Sequence, residues 1–289
     1  MATKDFKTID EQIDILKNRG LSIPDKETAA SFLLNNNYYR ISGYSLTLRT
    51  HDKFHKNATF QNIIDIYEFD YELRHILLKY LEIIEVTFKS LYAHTFTRIY
   101  GPTGYLCEDN FIDSDKYSKI IEKADHQKDK RLRDEPYLKH YIEELNEDLP
   151  LWAYVDLLTI ADISILYSIS KNDVQIDVAK RYNIKSNILG KLMHSMTILR
   201  NLCAHGSRIY NRFFDQRPNL SSDEKKLLMT NKKGEKDNAH LFGFIIIIKR
   251  LLSPEDFLSM KSEIQAIIEK YPFVNMKYYG FNPDWENLL

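Results

Sequence analysis

Cysteine is scarce in this sequence, which has only Cys107 and Cys203 among its 289 residues. The two are far apart and form no C-x-x-C pair, so neither a disulfide framework nor a cysteine zinc site is expected. His51 and His55 have the i,i+4 spacing of metal ligands, but no third ligand accompanies them. The sequence therefore predicts no metal site, no cofactor and a reducing, cytoplasmic location.

Long apolar runs and an excess of charge are also missing. The longest apolar run, Leu241 to Ile248, is far shorter than the roughly 20 residues that cross a bilayer, and the start of the chain lacks a signal-peptide core. The formal net charge is −1, so any RNA contact must come from a local patch rather than from global charge. We expect no membrane partner and no DNA partner.

Helical periodicity is what the sequence does contain. From Thr59, apolar residues recur at spacings of three, four and seven for about forty residues, which predicts one helix long enough to span a domain. The fold class is therefore predicted to be all-α. Further helices are predicted over 8–20, after Pro24, in two charged pieces of 113–148 that separate near Pro136, over 151–170 and 240–252, and after Pro254.

Two segments break this pattern. The tyrosine-rich piece from Tyr38 to Arg49 contains Gly43 and β-branched residues, so it is predicted to be short irregular or extended chain. Residues 221–238, with lysines and glutamates around Lys232 and Lys233, are expected to form a mobile connection. We divide the chain into an N-terminal helical region (1–58), a main helical domain (59–270) and a C-terminal tail (271–289) packed on the bundle.

The most informative stretch is MHSMTILRNLCAHGSRIYNRFF, residues 193–214. It places Arg200, Asn201 and His205 within six residues, and Gly206 directly after the histidine is a typical helix terminator. His194, Asn201 and His205 fall on one helical stripe. The spacing predicts a polar face that ends at the terminus of a helix.

These residue types suit the cleavage of RNA, whose ribose 2′-OH is its own nucleophile. A cut without metal needs a group that accepts the 2′-OH proton, a group that protonates the leaving 5′ oxygen, and positive charge on the phosphorane. Histidine titrates nearest neutrality and arginine stays charged. The candidate catalytic residues are therefore Arg200, Asn201 and His205, with Asn201 orienting the imidazole or binding a phosphate oxygen.

The R-N-x-x-x-H pattern of Arg200, Asn201 and His205 resembles the ribonuclease motif of the HEPN superfamily (higher eukaryotes and prokaryotes nucleotide-binding domains). The longer phrase RNLCAHGSRIYNR is similar to the core of the Abi-like abortive-infection family (AbiD/AbiF type) of bacterial phage-defence proteins. The resemblance implies a HEPN-like helical bundle with an N-terminal helical extension. Four other stretches resemble the family in its order: NNNYYRISGYSLTLR, IYEFDYELRHILLKYLEIIEVTFKS, LPLWAYVDLLTIADISILYS and YPFVNMKYYGFNPDWE.

The resemblance also implies partners. In HEPN nucleases two motif helices meet across a two-fold axis, so one motif per chain implies a homodimer with a composite cleft. Members of the Abi-like family are associated with small noncoding RNAs, which implies a small noncoding RNA as antitoxin; a protein antitoxin or activation only on infection would meet the same need for restraint. Polar groups of a neighbouring helix often lie beside the motif, so Glu85 is a candidate supporting residue, as is His194. Apolar residues that are candidates for the interface are Met193, Met196, Ile198 and Leu202.

Candidate RNA-binding residues flank the motif. Several arginines follow Arg200 against a single acidic residue, Asp215, and such a basic cluster suits phosphate contacts. The tyrosine-rich segment either faces RNA or caps the main bundle. The candidates for stacking and phosphate contacts are Arg208, Asn211, Arg212, Tyr39 and Arg40.

Two functions are compatible with these residues. The first is a metal-independent endoribonuclease toxin of an abortive-infection or toxin-antitoxin system, which cuts RNA by 2′-OH attack in a composite dimer cleft. The second is a non-catalytic HEPN-like module that binds RNA or regulates. The intact pair of Arg200 and His205 favours the first. A nucleophilic pair of Cys203 and His205 is not expected, because residues two apart on a helix diverge by about 200°.

Overall fold

The computed structural model describes residues 5–231 and 234–289. These residues form fourteen α-helices and one small hairpin, with 67% of the chain helical, so the prediction of an all-α protein is confirmed. The N-terminal elements are α1 (Ile9–Asn18), α2 (Lys26–Asn36), α3 (Tyr38–Tyr44), β1 (Arg49–Thr50) and β2 (Lys53–Phe54). The other helices are α4 (Phe60–Tyr100), α5 (Ser114–Arg131), α6 (Pro136–Lys139), α7 (Leu151–Tyr154), α8 (Ile160–Ile169), α9 (Asn172–Arg181), α10 (Ser186–Ala204), α11 (Ser222–Lys226), α12 (Phe242–Leu251), α13 (Pro254–Lys270) and α14 (Trp285–Leu288).

The 41-residue helix α4 is the element on which the others pack. It starts where the Thr59 hydroxyl accepts a hydrogen bond from the Asn62 N–H group at 3.2 Å, and it ends at Gly101, whose φ of 84° stops the helix. Its apolar face, which includes Leu73 and Leu77, is fully buried, and α7, α9, α10 and α13 lie against it. The predicted long helix from Thr59 is confirmed.

The tyrosine-rich segment is mostly helical, so the prediction of irregular or extended chain was wrong for residues 38–44. Asn37 has a φ of 63° and ends α2, but its side chain also accepts a hydrogen bond from the Tyr39 N–H group at 2.8 Å. One asparagine thus ends one helix and caps the next. Ile41 and Tyr44 then lie one turn apart on the buried side of α3, and their burial holds the short helix in place.

The middle of the chain is more interrupted than its apolar pattern predicts. The predicted helix over 151–170 is split into α7, a 3₁₀ turn (Val155–Leu157) and α8. The break occurs because Thr159 and Asp162 form a capping box that starts a new helix. In the charged region, the break near Pro136 is confirmed, and the second piece is a single turn (α6) followed by a π-turn (His140–Glu144). Of the predicted connection 221–238, α11 is a short helix, and Lys232 and Lys233 lie outside the described residues.

Helix α3 and the C-terminal tail both pack on α4. The buried apolar residues form one contiguous core that runs from α1 to α14. Tyr271, at the start of the C-terminal tail, donates a hydrogen bond to Glu72 of α4 at 2.7 Å. The hairpin pairs Arg49 with Phe54 at its base. No helix within the described residues is both long and apolar enough to cross a membrane.

Candidate functional site

The sequence motif lies at the C-terminal end of α10. His205 caps the helix, and Gly206 follows with a φ of 62°. The Ser207 N–H group donates to the Leu202 carbonyl oxygen at 2.9 Å, and the Gly206 N–H group donates to the Cys203 carbonyl oxygen at 3.0 Å. These two bonds are a Schellman motif, for which glycine is favoured at the left-handed position. The chain therefore turns sharply just after His205.

The motif residues lie on the open side of α10. Arg200 and Asn201 are half-buried and His205 is exposed. In the part of the chain that the structure describes, neither the His205 imidazole nor the Asn201 amide has a hydrogen-bond partner, and no bond links these side chains to Arg200. Two polar groups with unused donors and acceptors thus share one face at the helix end.

The opposite side of α10 is core. Met193 and Met196 are fully buried within the chain, so these two of the four interface candidates pack inside the monomer. Ile198 and Leu202 are only partly buried and remain accessible. Periodicity alone did not separate the two pairs, because both lie near the boundary of the apolar stripe.

Glu85 of α4 is the acidic neighbour of the motif arginine. Its carboxylate lies 3.5 Å from Arg200 Nε and 3.0 Å from Lys89 Nζ. Glu85 and Lys89 are largely buried, whereas the Arg200 side chain is 40% exposed. The Glu85 carboxylate therefore contacts the Nε side of the Arg200 guanidinium, and the rest of that group remains accessible to solvent.

Helix α3 packs directly on the turn that follows His205. Arg40 Nη2 donates to the Gly206 carbonyl oxygen at 2.5 Å, and its guanidinium lies 5.7 Å from the centre of the Tyr67 ring. Arg208 contacts Gly43 so closely that a Cβ atom there would lie 3.0 Å from Arg208 Nε. The structure thus places Arg40 and Arg208 together beside the helix end. Tyr39, at 87% exposed, projects from the same helix.

The arginines near His205 keep their positive charge without acidic partners. Arg208 donates to the carbonyl oxygens of Tyr210 and Asn211, and Arg212 donates to the Arg208 carbonyl oxygen at 3.4 Å. Among the described residues no carboxylate pairs with Arg40, Arg208 or Arg212. The Asn211 backbone has a φ of 48° and donates to the Tyr278 carbonyl oxygen at 3.1 Å. Arg40, Arg208 and Arg212 therefore form a positive rim beside the turn that follows His205.

His194 is the predicted residue that the structure places apart. It shares the stripe with His205, but eleven residues of helix separate the two by about 16 Å. His194 instead lines a shallow groove of about 470 Å³ with Lys191 and Arg217. It is not in position to act together with His205 of the same chain.

A buried carboxylate, which the sequence did not predict, holds the backbone of the turn that follows the motif. Asp70 of α4 is fully buried and accepts hydrogen bonds from five donors. Two are the backbone N–H groups of Ile209 at 3.3 Å and Tyr210 at 2.7 Å, which lie just after the motif turn. The others are the hydroxyls of Tyr44 at 2.8 Å and Tyr279 at 3.0 Å and the guanidinium of Arg74.

The Asp70–Arg74 pair is ionised. Burial raises the pKa of the Asp70 carboxyl, and Arg74 and the tyrosine hydroxyls oppose that rise. Burial acts to lower the pKa of Arg74, but the Asp70 charge and the contact with Tyr44 together outweigh it and raise that pKa. The two backbone N–H groups and the guanidinium can only donate, so they favour the charged form of the Asp70 carboxyl, which lies in contact with the Arg74 guanidinium. The Arg74 side chain is 2% exposed, so it is part of the core and not of the polar surface of α4.

Cys203 lies next to this pair and is buried. Burial raises the pKa of its thiol to about 12, with smaller and opposing effects from Arg74 and Asp70. A thiol with that pKa is neutral near pH 7 and is not a nucleophile. For the ion pair itself, the sequence does contain a signal: Asp70 and Arg74 have i,i+4 spacing within the apolar face of α4.

The geometry defines a class of protein: an all-helical bundle that presents a polar helix end beside a turn with three arginines. The family model described as Abi-like protein matches residues 31–211, more than half of the chain. The chain therefore belongs to the Abi-like protein family, which associates it with abortive infection, a form of phage defence. The match contains α3, α4 and the whole motif. Searches among curated proteins and solved structures found no match.

Proposed function

We propose that this protein is a metal-independent endoribonuclease of the HEPN type, which acts as the toxin of a phage-defence system. The observation that carries the proposal is the open face at the end of α10. There the His205 imidazole and the Asn201 amide have no partner in the described chain, and the following turn carries three arginines that bond to backbone carbonyls and, within the described residues, to no carboxylate. Polar groups left unsatisfied at a surface and beside positive charge suit a polyanionic substrate.

The proposed reaction uses the RNA's own hydroxyl. The 2′ oxygen attacks the adjacent phosphorus while a histidine accepts its proton, and the P–O5′ bond breaks as a second acid protonates the 5′ oxygen. The products are a 2′,3′-cyclic phosphate and a 5′-OH end. Arg200 stabilises the charge that develops on the phosphorane, and Asn201 binds a phosphate oxygen or orients the imidazole.

One chain offers one motif histidine, whereas the reaction uses both a base and an acid. A homodimer with α10 at its two-fold axis provides the second imidazole without any further sequence. The accessible side chains of Ile198 and Leu202 flank the motif and supply an apolar contact for such a pairing. His194, which lies away from His205 in its own chain, is free to line the entrance of a composite cleft.

Substrate binding is assigned to the rim. Arg40, Arg208 and Arg212 contact phosphates, and the exposed ring of Tyr39 stacks on a base. Asn211 contributes an amide at the same turn. A structured noncoding RNA that occupies this rim would block the cleft, and we propose such an RNA as the antitoxin.

The deciding experiment incubates purified protein with total RNA in excess EDTA, beside a His205→Ala variant. Cleavage by the unaltered protein alone is expected. Its fragments should accept label from polynucleotide kinase without prior phosphatase treatment, because their 5′ ends carry hydroxyls. Activity that EDTA abolishes and Mg²⁺ restores would refute the metal-independent mechanism. RNA that is bound tightly and never cut would leave a non-catalytic RNA-binding module.

A further inference from the structure

The groove beside His194 has a positive lining. Its volume of about 470 Å³ is within the range of sites that hold small ligands. One side is formed by Lys191 and His194 of α10, and the other by residues 216–219, which include Arg217. Among the described residues no carboxylate lines the groove, and the sequence of α10 contains no acidic residue. The groove therefore attracts anions, and nothing in its own lining neutralises that attraction.

The charged side chains of this groove are free to bind a ligand. Lys191, His194 and Arg217 are all exposed, and in the part of the chain that the structure describes none of them has an ion pair or a side-chain hydrogen bond. Other surface cations do have such partners, as Arg98 has Asp177. An anion that enters the groove therefore replaces water on these groups and breaks no existing ion pair.

The wall that carries Arg217 is fixed by hydrogen bonds on both sides of that residue. Before it, the Phe214 N–H group donates to the Ala239 carbonyl oxygen at 2.8 Å. After it, the Asn238 amide donates to the Pro218 carbonyl oxygen at 2.8 Å. The backbone at Arg217 therefore has a defined position beside α10, which lowers the cost of ordering its side chain on a ligand.

The same segment of chain connects the groove to the motif. It starts at the turn after His205, contains two arginines of the rim and reaches the groove at Arg217, with Asp215 as its one acidic residue. His194 and His205 are about 16 Å apart along α10. At about 3.4 Å per stacked nucleotide, this distance corresponds to about five nucleotides. One RNA strand is therefore long enough to occupy the motif and the groove together.

We propose that the groove binds a backbone phosphate of the RNA strand about five nucleotides from the bond that is cut. Lys191 and Arg217 contact this phosphate, and the amides of Gln216 and Asn219 donate to its remaining oxygens. No Phe, Tyr or Trp of the described chain lines the groove, so it offers no ring for a base and its contribution is independent of RNA sequence. The inference rests on the proposed function and sets a minimum length for a tightly bound substrate.

The binding test uses a fluorescein-labelled RNA of mixed sequence, about 12 nucleotides long, with every variant made in the His205→Ala chain so that the probe survives. Lys191→Gln/Arg217→Gln should weaken binding at least about fivefold. It should also lower the slope of log K against log salt by about 0.7, the value for one phosphate of a single strand. Lys191→Arg/Arg217→Lys keeps both charges and should retain most of the affinity.

The matched control is Lys119→Gln/Lys130→Gln, which removes the same charge from two exposed lysines of α5 outside the groove. This control should change binding less than about twofold, because salt screens charges that do not contact the strand. An equal loss of binding in the control would show that overall charge, and not the groove, holds the RNA.

Substrate length separates the groove from the site of cleavage. With His205 intact, Lys191→Gln/Arg217→Gln should raise KM for the longer RNA about fivefold and leave kcat nearly unchanged. An RNA of about 4 nucleotides is too short to extend from the motif to the groove. Its KM should therefore not respond to the double variant.

Unchanged binding of the longer RNA by a folded Lys191→Gln/Arg217→Gln chain would overturn the proposal. So would binding of ATP as tight as that of the RNA and lost in the double variant, because the groove would then hold a free nucleotide. Failure of the nuclease proposal is distinguishable: the longer RNA would bind through the groove and remain uncut by the unaltered protein. Cleavage with a KM that is indifferent to the double variant would sink the groove alone.

Discussion

The polar groups around Asp70 and those around His205 both lie at the C-terminal end of α10. The two clusters differ in how many of their groups are hydrogen-bonded. Around Asp70 every group is buried and bonded, with five donors on one carboxylate. Around His205 the side chains are accessible and, within the described chain, largely unbonded. A buried polar group without a partner costs about 1–3 kcal/mol, whereas an exposed one is satisfied by water and is free to exchange water for a ligand. The fully hydrogen-bonded cluster around Asp70 therefore has a structural role, whereas the unbonded side chains around His205 form a surface that can bind a ligand.

The two clusters are also connected. The backbone of Ile209 and Tyr210 is held by Asp70 only four or five residues after His205. Arg40 holds the Gly206 carbonyl oxygen from the other side. The position of the open face at the end of α10 therefore depends on the buried cluster around Asp70.

The largest expected effect comes from replacing Asp70, whose carboxylate accepts the hydrogen bonds of the buried cluster. Asp70→Asn leaves the Arg74 charge buried without its partner, so the free energy of unfolding should fall by about 3–5 kcal/mol. Urea denaturation followed by circular dichroism measures the change. Glu82→Gln is the matched control, since it removes an exposed carboxylate from the same helix and should stay within about 0.5 kcal/mol. A loss below about 1 kcal/mol would contradict the ionised, saturated cluster.

The opposite outcome is expected for the open face. His205→Ala should leave the free energy of unfolding within about 0.5 kcal/mol, because the imidazole makes no contact that the fold needs. RNA cleavage should fall by at least about 100-fold, the usual contribution of a general base. Single-turnover cleavage of a labelled RNA and thermal unfolding of the same sample give the two numbers. A variant that remains folded and still cuts would remove His205 from the mechanism.

A smaller effect is expected at Glu85, the acidic neighbour of Arg200. Glu85→Gln removes the charge that holds Arg200 Nε, so the guanidinium is less well oriented and the kcat for cleavage should fall by about tenfold, with KM nearly unchanged. Glu82→Gln again serves as the comparison. A rise in KM with unchanged kcat would instead place Glu85 in substrate binding.

The smallest effect concerns the thiols. Burial raises the pKa of Cys203 to about 12, so it should not react with a thiol reagent such as DTNB (Ellman's reagent) at pH 8, whereas exposed Cys107 should react. One thiol per chain is expected in native protein and two in denaturant. Two fast-reacting thiols in native protein would show that the core around Asp70 opens readily.

Local patterns sufficed to predict the long helix and the helix end. The periodicity after Thr59 and the glycine at 206 both act through residues adjacent in sequence. The buried cluster was out of reach because the donors to Asp70 come from α3, the loop after α10 and the C-terminal tail. Helix α3 was missed for a related reason. Local sequence rules predict that Asn37 ends a helix, whereas its second role as the N-cap of α3 depends on the burial of Tyr44 in the core.

The spread of those donors has a consequence for the order in which the protein folds. Tyr279 bonds to Asp70 across 209 residues, and closing so long a loop is slow. The Tyr44 hydroxyl bonds to the same carboxylate across only 26 residues. We expect the bond from Tyr44 to form before the bond from Tyr279, so the cluster around Asp70 is completed late in folding.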